Sequence, residues 1–393
     1  MILENESYPE DTRVMLEAEA LARFGYDVTV VCPMDESGVR RETIREVRVY
    51  RYPKPLELNS AFGYVLEFAY SATIGFLYAL YIYFRHGFDA IHIHSPPDMN
   101  CVIAIPFQML GKKFVYDLHD LSPELYQAQK CGRGSKLIER ALLFFERLAC
   151  RQSNRLIATN QTQQQVQIER GLAKAENCYV VRNGPNENFF RTTVPNSTIL
   201  ESGKILIGYV GVIGIQDGVD HFVRAMHVLI HRMHRRDVHG VVVGNGAALN
   251  SLKVLAQQLE LQDHISFVGK IPFVSVPTYI AAFDVCVTPD PSNSYNDSCT
   301  TIKTMEYMAL GKPVVCYETT ENQKTAGGAA LYAVNNDVED LASKIGKLVD
   351  SPELRKKMGD YGRQRIDEGL TWSHQEVQLA ALYDSLSLKV SQS

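Results

Sequence analysis

No sign of charge dominates this 393-residue sequence: 40 Lys and Arg stand against 45 Asp and Glu, a formal net charge of −5. That balance leaves no phosphate-binding footprint, and nucleic acid is not an expected partner. The eight cysteines are scattered, with no Cys-x-x-Cys pair and no zinc-ligand spacing. This excludes a metal knuckle or a disulfide framework and leaves reduced thiols in a cytoplasmic protein. No basic stretch followed by an apolar one opens the chain, so no secretory leader is expected. Low-complexity segments, short repeats and the G-x-G-x-x-G dinucleotide fingerprint are also missing, which sets a nicotinamide dehydrogenase behind other readings. A single uncharged run, residues 68–84, approaches the ~18 residues at which a membrane span is suspected. The strands on either side of it read as parts of one sheet, so a helix buried on that sheet is expected. Shallow interfacial docking through Tyr70, Tyr78, Tyr81 and Tyr83 is the other reading. Met1-Ile2-Leu3 is all that stands where a buried first strand belongs, so either that strand is short or the reading frame begins late.

What is present is a regular rhythm. Short runs rich in Val and Ile alternate with segments of helical period, which argues for parallel βαβ units. Strands are expected at 28–32, 47–51, 90–94, 113–117, 155–158 and 179–182, and again at 205–210, 240–243, 265–268, 285–288 and 313–317. Two such layers make an α/β protein of two Rossmann-like, doubly wound parallel-sheet domains, in keeping with a length too great for one ordinary core. Asn183-Gly184-Pro185-Asn186 interrupts the rhythm, and residues 191–203 are polar with no sustained period. The expected division is therefore 1–190, 204–371, and a C-terminal helix within 372–393 that crosses back to the first domain. Open parallel sheets take ligands beyond the carboxyl ends of their strands, so the two domains are expected to face each other across a cleft.

Three segments carry chemistry. The strand at 205–210 runs into Gly211-Val212-Ile213-Gly214, where glycines let backbone amides approach an anion and the next helix offers its N-terminus. Gly244-Asn245-Gly246 repeats that turn after the following strand. Either turn alone is unspecific, because tight turns use glycine anyway. The third segment is denser: a polar loop holding Asn296, Asp297 and Ser298 leads into a short helix with Lys303 and Glu306 one turn apart, ended by Gly311 before Pro313. A carboxylate there can accept both hydroxyls of a ribose while the ammonium reaches a phosphate. The bland alternative is a surface ion pair worth ~0.3–0.5 kcal/mol. Met305, Met308 and Ala309 on the other flank favour the functional reading.

At these residues the sequence resembles the retaining glycosyltransferases of family 4, of the GT-B fold and the bacterial surface-polysaccharide type. Glu306-Tyr307-Met308-Ala309-Leu310-Gly311-Lys312-Pro313 is similar to the family's donor-binding segment. Asp11-Thr12-Arg13-Val14 with Glu17-Ala18, Tyr116-Asp117-Leu118-His119-Asp120, Val181-Arg182-Asn183-Gly184 and Gly211 through Asp220 are similar to further segments, in the family's order along nearly the whole chain. The resemblance implies that Glu306 holds the nucleotide ribose and that His119, just beyond a strand of the first domain, faces the donor sugar. Gly211, Gly214, Gly244 and Asn296 are then donor-binding, and Asp11 and Arg13 are acceptor-side candidates. The sequence departs from the family in two places. The usual Glu eight positions before Glu306 is Ser298 with Asp297 beside it, and the Arg and Lys that bind the diphosphate are Val212 and Asp217. Sugar contact then falls to Asp297, Ser298 or backbone amides, and phosphate contact to Lys303, Arg182 and the helix end.

The activity implied is transfer of a hexosyl or N-acetylhexosaminyl group from a nucleotide-diphosphate sugar to a glycan or polyprenyl-linked acceptor, with retention. No metal and no cofactor beyond the co-substrate are expected. His227, His231 and His234 share a helix face at a spacing that suits a metal, but they flank the apolar stripe of Phe222, Met226, Leu229 and Met233 and read as solvated. Lys112, Lys113, Arg133, Lys136 and Arg140 form a modest basic cluster for which solvated surface charge is the better reading and contact with anionic lipid or a lipid-diphosphate acceptor the second; the enzyme is expected in the cytoplasm, with a peripheral contact to the inner face of the membrane under that second reading. Two rivals remain: a sugar-nucleotide epimerase of similar fold, and a non-catalytic sugar-nucleotide-binding protein. Donor sugar, base, acceptor, linkage and oligomeric state are not written in the residues.

Overall fold

Strands form where Val and Ile runs are buried on both faces, and in the second half of the chain they build one fully parallel sheet. Its strands are β8 (Ile205–Val210), β9 (Val238–Val243), β10 (Ile265–Gly269), β11 (Val285–Thr288), β12 (Val314–Tyr317) and β13 (Ala330–Ala333), in the order β10-β9-β8-β11-β12-β13. The order reverses at β8, where successive crossovers leave to opposite sides, so the loop after β8 sits at the topological switch point of the sheet. Phe222, Met226, Leu229 and Ile345 pack one face; Ile280, Phe283, Met305 and Met308 pack the other.

The computed structural model describes residues 1–54, 61–130, 132–186, 193–199 and 203–387. Part of the segment expected as a linker, the stretch 187–190, Cys131 and residues 388–393 lie outside them. The chain divides into two compact units, Met1–Asn183 with Gln375–Ser393, and Gly184–His374. In the first unit β4 (Ala90–Ser95), β5 (Lys113–Leu118), β6 (Arg155–Ala158) and β7 (Cys178–Val180) run parallel. Beside them lie β1 (Thr29–Pro33), the parallel β3 (Val47–Tyr52) and an antiparallel edge strand β2 (Arg41–Ile44).

Met1-Ile2-Leu3 takes the strand position between β1 and β4: Ile2 bridges Val31 on one side and Ile93 on the other. The Met1 amine donates to the Thr29 carbonyl at 2.7 Å, and burial lowers its pKa to about 5. A cavity of about 510 Å³ opens at the amino ends of β1, β3 and β4, lined by Met1, Thr29, Arg48, Ala90 and Lys112 among others.

The long apolar run forms the helix Ala61–Arg85, which lays Ala79 and Ile82 on the core of β4 and β5. Its tyrosines serve the fold: the hydroxyls of Tyr70 and Tyr78 donate to the carbonyls of Pro53 and Arg51 at 2.8 and 3.1 Å. Among the described residues no helix is long and apolar enough to cross a membrane.

Candidate functional site

The carboxyl end of the second sheet is built by close backbone approach. Gly211 N–H donates to the Val243 carbonyl at 3.1 Å and Ile213 N–H to the Asn245 carbonyl at 2.9 Å, zipping the loop after β8 onto the turn after β9. Gly244 adopts φ +142°, and a Cβ there would stand 1.8 Å from the Gly211 carbonyl oxygen, so no other residue fits. Asp217 caps the loop by accepting from Gly214 N–H at 3.0 Å. Val212 and Ile215 point outward, so no cation stands in this loop.

The helix Ile302–Ala309 is fixed to the end of β8 through Tyr307, whose hydroxyl oxygen accepts from Val210 N–H at 2.9 Å. Its buried flank, Met305, Met308 and Ala309, turns Lys303 and Glu306 to the opposite side. Lys303 is not a free ammonium. It donates to Asp290 Oδ1 and Oδ2 at 2.8 and 3.1 Å, to Asp217 Oδ1 at 3.3 Å and to the Tyr209 hydroxyl at 3.3 Å. Burial alone would lower its pKa, but Asp290, Tyr209 and Asp217 outweigh that and hold it well above the usual lysine value. Burial raises Asp290, with Lys303 opposing the rise. The position where the resemblance led us to expect a phosphate-binding cation therefore holds a carboxylate that restrains Lys303.

Glu306 is half-buried, and its carboxylate has no hydrogen-bond partner among the described residues. Burial pushes its pKa up to about 7, and the nearby Lys303 charge opposes this. The polar loop before the helix is largely self-satisfied. Asn296 donates through its amino group to the carbonyls of Gln216 and Pro291 at 2.9 and 2.8 Å and so locks the loop, which leaves Oδ1 as the atom of this side chain for a donor. Ser298 donates to the Tyr295 carbonyl at 2.7 Å. Asp297 accepts from Ser292 through Oδ2 at 3.1 Å and leaves Oδ1 without a partner.

In the first unit the expected residues gather around Asp117, at the end of β5. Asp11 caps the helix Thr12–Arg23 by accepting from Val14 N–H at 3.0 Å. Arg13 is buried and turned inward. It forks onto Asp117 at 3.0 and 2.8 Å and donates to the Val181 carbonyl at 2.9 Å and to Asn183 Oδ1 at 2.5 Å. Those bonds remove Arg13 from the acceptor side; it holds Asp117. His119 Nε2 lies 3.0 Å from Asp117 Oδ2 and 3.1 Å from His94 Nδ1, which leaves Nδ1 as the outward nitrogen of a half-buried ring. Burial would raise Asp117, but Arg13 and then His119 hold it well below the usual carboxylate range. Arg182 belongs to this unit and not to that of Lys303; it donates to Gln161 Oε1 at 2.7 Å.

Glu17, His92 and His94 complete the cluster and were not singled out from the sequence. The signal was there: His92 and His94 alternate on a strand and so share a face, and Glu17 follows Arg13 by one helical turn. Of the helix histidines, His227 and His231 lie ring to ring with centroids 4.8 Å apart, and His227 Nδ1 stands 3.2 Å from the Leu259 carbonyl.

Two units, each built on a parallel sheet with polar residues gathered at the carboxyl ends of its strands, are the architecture of the GT-B fold. The chain matches the family described as glycosyl transferases group 1 over residues 190–365, and the glycosyl transferase 4-like domain over residues 11–184. It belongs to that family. It is 23% identical over 304 residues to an uncharacterized glycosyltransferase of Methanocaldococcus jannaschii, covering 77% of this chain and 76% of that protein. Its fold is similar to sucrose-phosphate synthase of Thermosynechococcus elongatus (TM-score 0.79, 18% identity, 98% of this chain and 95% of the other). Anabaena HepE, solved with UDP and glucose, is similar with TM-score 0.74 at 16% identity, covering 98% and 99% of the two chains.

Proposed function

We propose that the protein transfers a hexosyl or N-acetylhexosaminyl group from a nucleotide-diphosphate sugar to a glycan or polyprenyl-linked acceptor, with retention of configuration, in surface-polysaccharide assembly on the cytoplasmic side. The observation that carries this reading is Glu306: a half-buried carboxylate without a hydrogen-bond partner among the described residues, one helical turn from Lys303. Glu306 accepts the two ribose hydroxyls, Lys303 meets the leaving diphosphate, and His119 orients the sugar through Nδ1. The leaving diphosphate takes the acceptor proton, so the protein contributes positioning and charge stabilisation and the transfer uses no metal. The UDP and glucose bound to HepE make a uridine-diphosphate hexose the first donor to test. The experiment is a panel of nucleotide sugars scored by protection against thermal unfolding, then by sugar transferred to lipid-linked and free glycans. A panel with neither protection nor transfer ends the proposal.

Binding without transfer is the second reading, and the clamp on Lys303 favours it, since two carboxylates offset the charge a diphosphate needs. Under the transferase reading, Asp217→Asn releases part of that charge and tightens nucleoside-diphosphate binding about tenfold, measured by calorimetry. Unchanged affinity would remove Lys303 from the phosphate site.

A peripheral membrane contact belongs to the same proposal. The helix Lys136–Gln152 exposes Lys136, Arg140, Arg147 and Arg151 together with Leu137 (77% exposed) and Phe144 (59%). Its acids are engaged elsewhere: Glu139 accepts from Gln127, and Glu146 pairs with Arg170. At about 1 kcal/mol per cation near an anionic leaflet, reversing Arg140 and Arg147 to Glu should weaken binding to anionic vesicles more than tenfold and leave neutral vesicles unaffected. Equal sedimentation of the variant and the original protein with anionic vesicles would exclude this surface.

A further inference from the structure

We propose that Glu17, His92, His94 and Asp117 form a binding site for one divalent transition-metal ion of the zinc or manganese class, buried in the first unit below His119. Each of the four offers a ligand atom, and those atoms all lie within 4.8 Å of one another. All four side chains are buried to 2% exposure or less. Two imidazole nitrogens with two carboxylate oxygens are a donor set for a borderline ion, not for calcium or magnesium, which take oxygen alone.

The second observation is a set of polar atoms left without partners. Glu17 Oε2, His92 Nε2 and His94 Nε2 are buried and have no hydrogen bond among the described residues, while Glu17 Oε1 meets the Arg13 guanidinium at 3.1 Å. His92 Nε2 stands 3.9 Å from Glu17 Oε2 and 3.8 Å from Asp117 Oδ2. That gap is too long for an N–H···O bond, and it is close to the span of two ligands that each lie ~2.1 Å from one shared ion. Buried polar groups are rarely left unpaired, so two carboxylates facing a ring nitrogen across this gap call for a positive charge between them.

Outer contacts support the assignment. His92 Nδ1 lies 2.9 Å from the Tyr383 hydroxyl, the kind of bond that fixes a ring and leaves its other nitrogen for an ion. Arg13 is the neighbouring cation, but it approaches from the other side: its NH2 group meets Asp117 Oδ1 at 2.8 Å and Glu17 Oε1 at 3.1 Å, leaving Glu17 Oε2 toward His92. A bound ion would tie the helix Thr12–Arg23 to β4 and β5 and fix the carboxylate that His119 leans on.

The test needs no knowledge of the donor. Full-length protein, purified without chelator and without a metal-affinity step, is expected to carry about one zinc or manganese per chain by elemental analysis. After dialysis against a chelator, adding Zn²⁺ or Mn²⁺ should raise the unfolding temperature by several degrees, and Ca²⁺ or Mg²⁺ should not. Glu17→Gln and His92→Gln, each kept only if its circular dichroism matches the original, should lose the ion and the temperature shift. The proposal is overturned if the purified protein holds no stoichiometric metal and neither ion shifts unfolding, or if both variants keep the metal. The titration of the unmutated protein decides the matter even when the variants fail to fold.

Discussion

Glu306→Ala is expected to weaken nucleotide-sugar binding 30- to 150-fold while leaving the fold intact. On the proposed reading the carboxylate accepts from two ribose hydroxyls; hydrogen bonds to a charged group are worth about 1.5–3 kcal/mol each, and rehydration of the vacated site returns part of that, so a net loss of about 2–3 kcal/mol follows. The pH dependence is specific. Burial pushes this carboxyl up to about 7, so the empty site protonates as pH falls through 7 and donor affinity falls with it. Stability moves the other way. A carboxyl with a folded pKa above its unfolded value near 4.5 favours the folded state below that value, and the contribution is lost as pH rises toward 7. Glu306→Gln cannot ionise, so without donor it should unfold at a higher temperature than the original protein at pH 8, yet bind donor more weakly. Calorimetry and thermal unfolding at pH 6 and 8 read both effects. Donor affinity equal to the original in Glu306→Ala would remove Glu306 from the ribose.

The pairing of a stabilising substitution with a loss of binding is the mark of a site kept partly unsatisfied for a ligand. The same logic separates Glu306 from Lys303. Lys303 has four oxygen contacts within its unit and Glu306 has none, although both were legible in the sequence as one pair on one helix turn. What the sequence could not show was Asp290, brought to Lys303 by the end of β11, or that Asp217 would join it. Periodicity reports which side chains share a face and says nothing of what a distant loop places opposite them.

The strands divide in a similar way. β6, β8 and β11 fall at the positions expected from the sequence, 155–158, 205–210 and 285–288, because their apolar residues are buried on both faces. β2 was invisible: three of its four residues are exposed, and Arg41-Glu42-Thr43-Ile44 pairs with β3 on one edge only. β13, Ala330–Ala333, has too few branched residues to stand out from the loop around it. Arg13 was legible as a residue of consequence, but its direction was not. Whether an arginine faces solvent or a carboxylate 104 residues away is set by how the helix Thr12–Arg23 lies on the sheet.

That direction leads to the second large effect. Arg13→Ala should destabilise the protein by about 3–5 kcal/mol, a third or more of what most domains have, because it leaves Asp117 buried and uncompensated. Asp117 is fully buried and takes two of the bonds of the guanidinium fork, while a third arm closes on Val181 and Asn183. Lysine at position 13 brings the charge without the fork and should recover only part of the loss. The double replacement Arg13→Met with Asp117→Asn removes charge and countercharge together and should be more stable than Arg13→Ala, so the two effects will not add. Asp117, held below the usual carboxylate range, contributes stability above its unfolded pKa near 3.9 and loses it as pH falls further. Arg13→Ala abolishes most of that contribution, so its deficit relative to the original protein should be large at pH 7 and shrink toward pH 3. Urea unfolding across that range is the measurement. A deficit under about 1 kcal/mol at pH 7, or one that does not change with pH, would mean that Asp117 is held by His94 and His119 without Arg13.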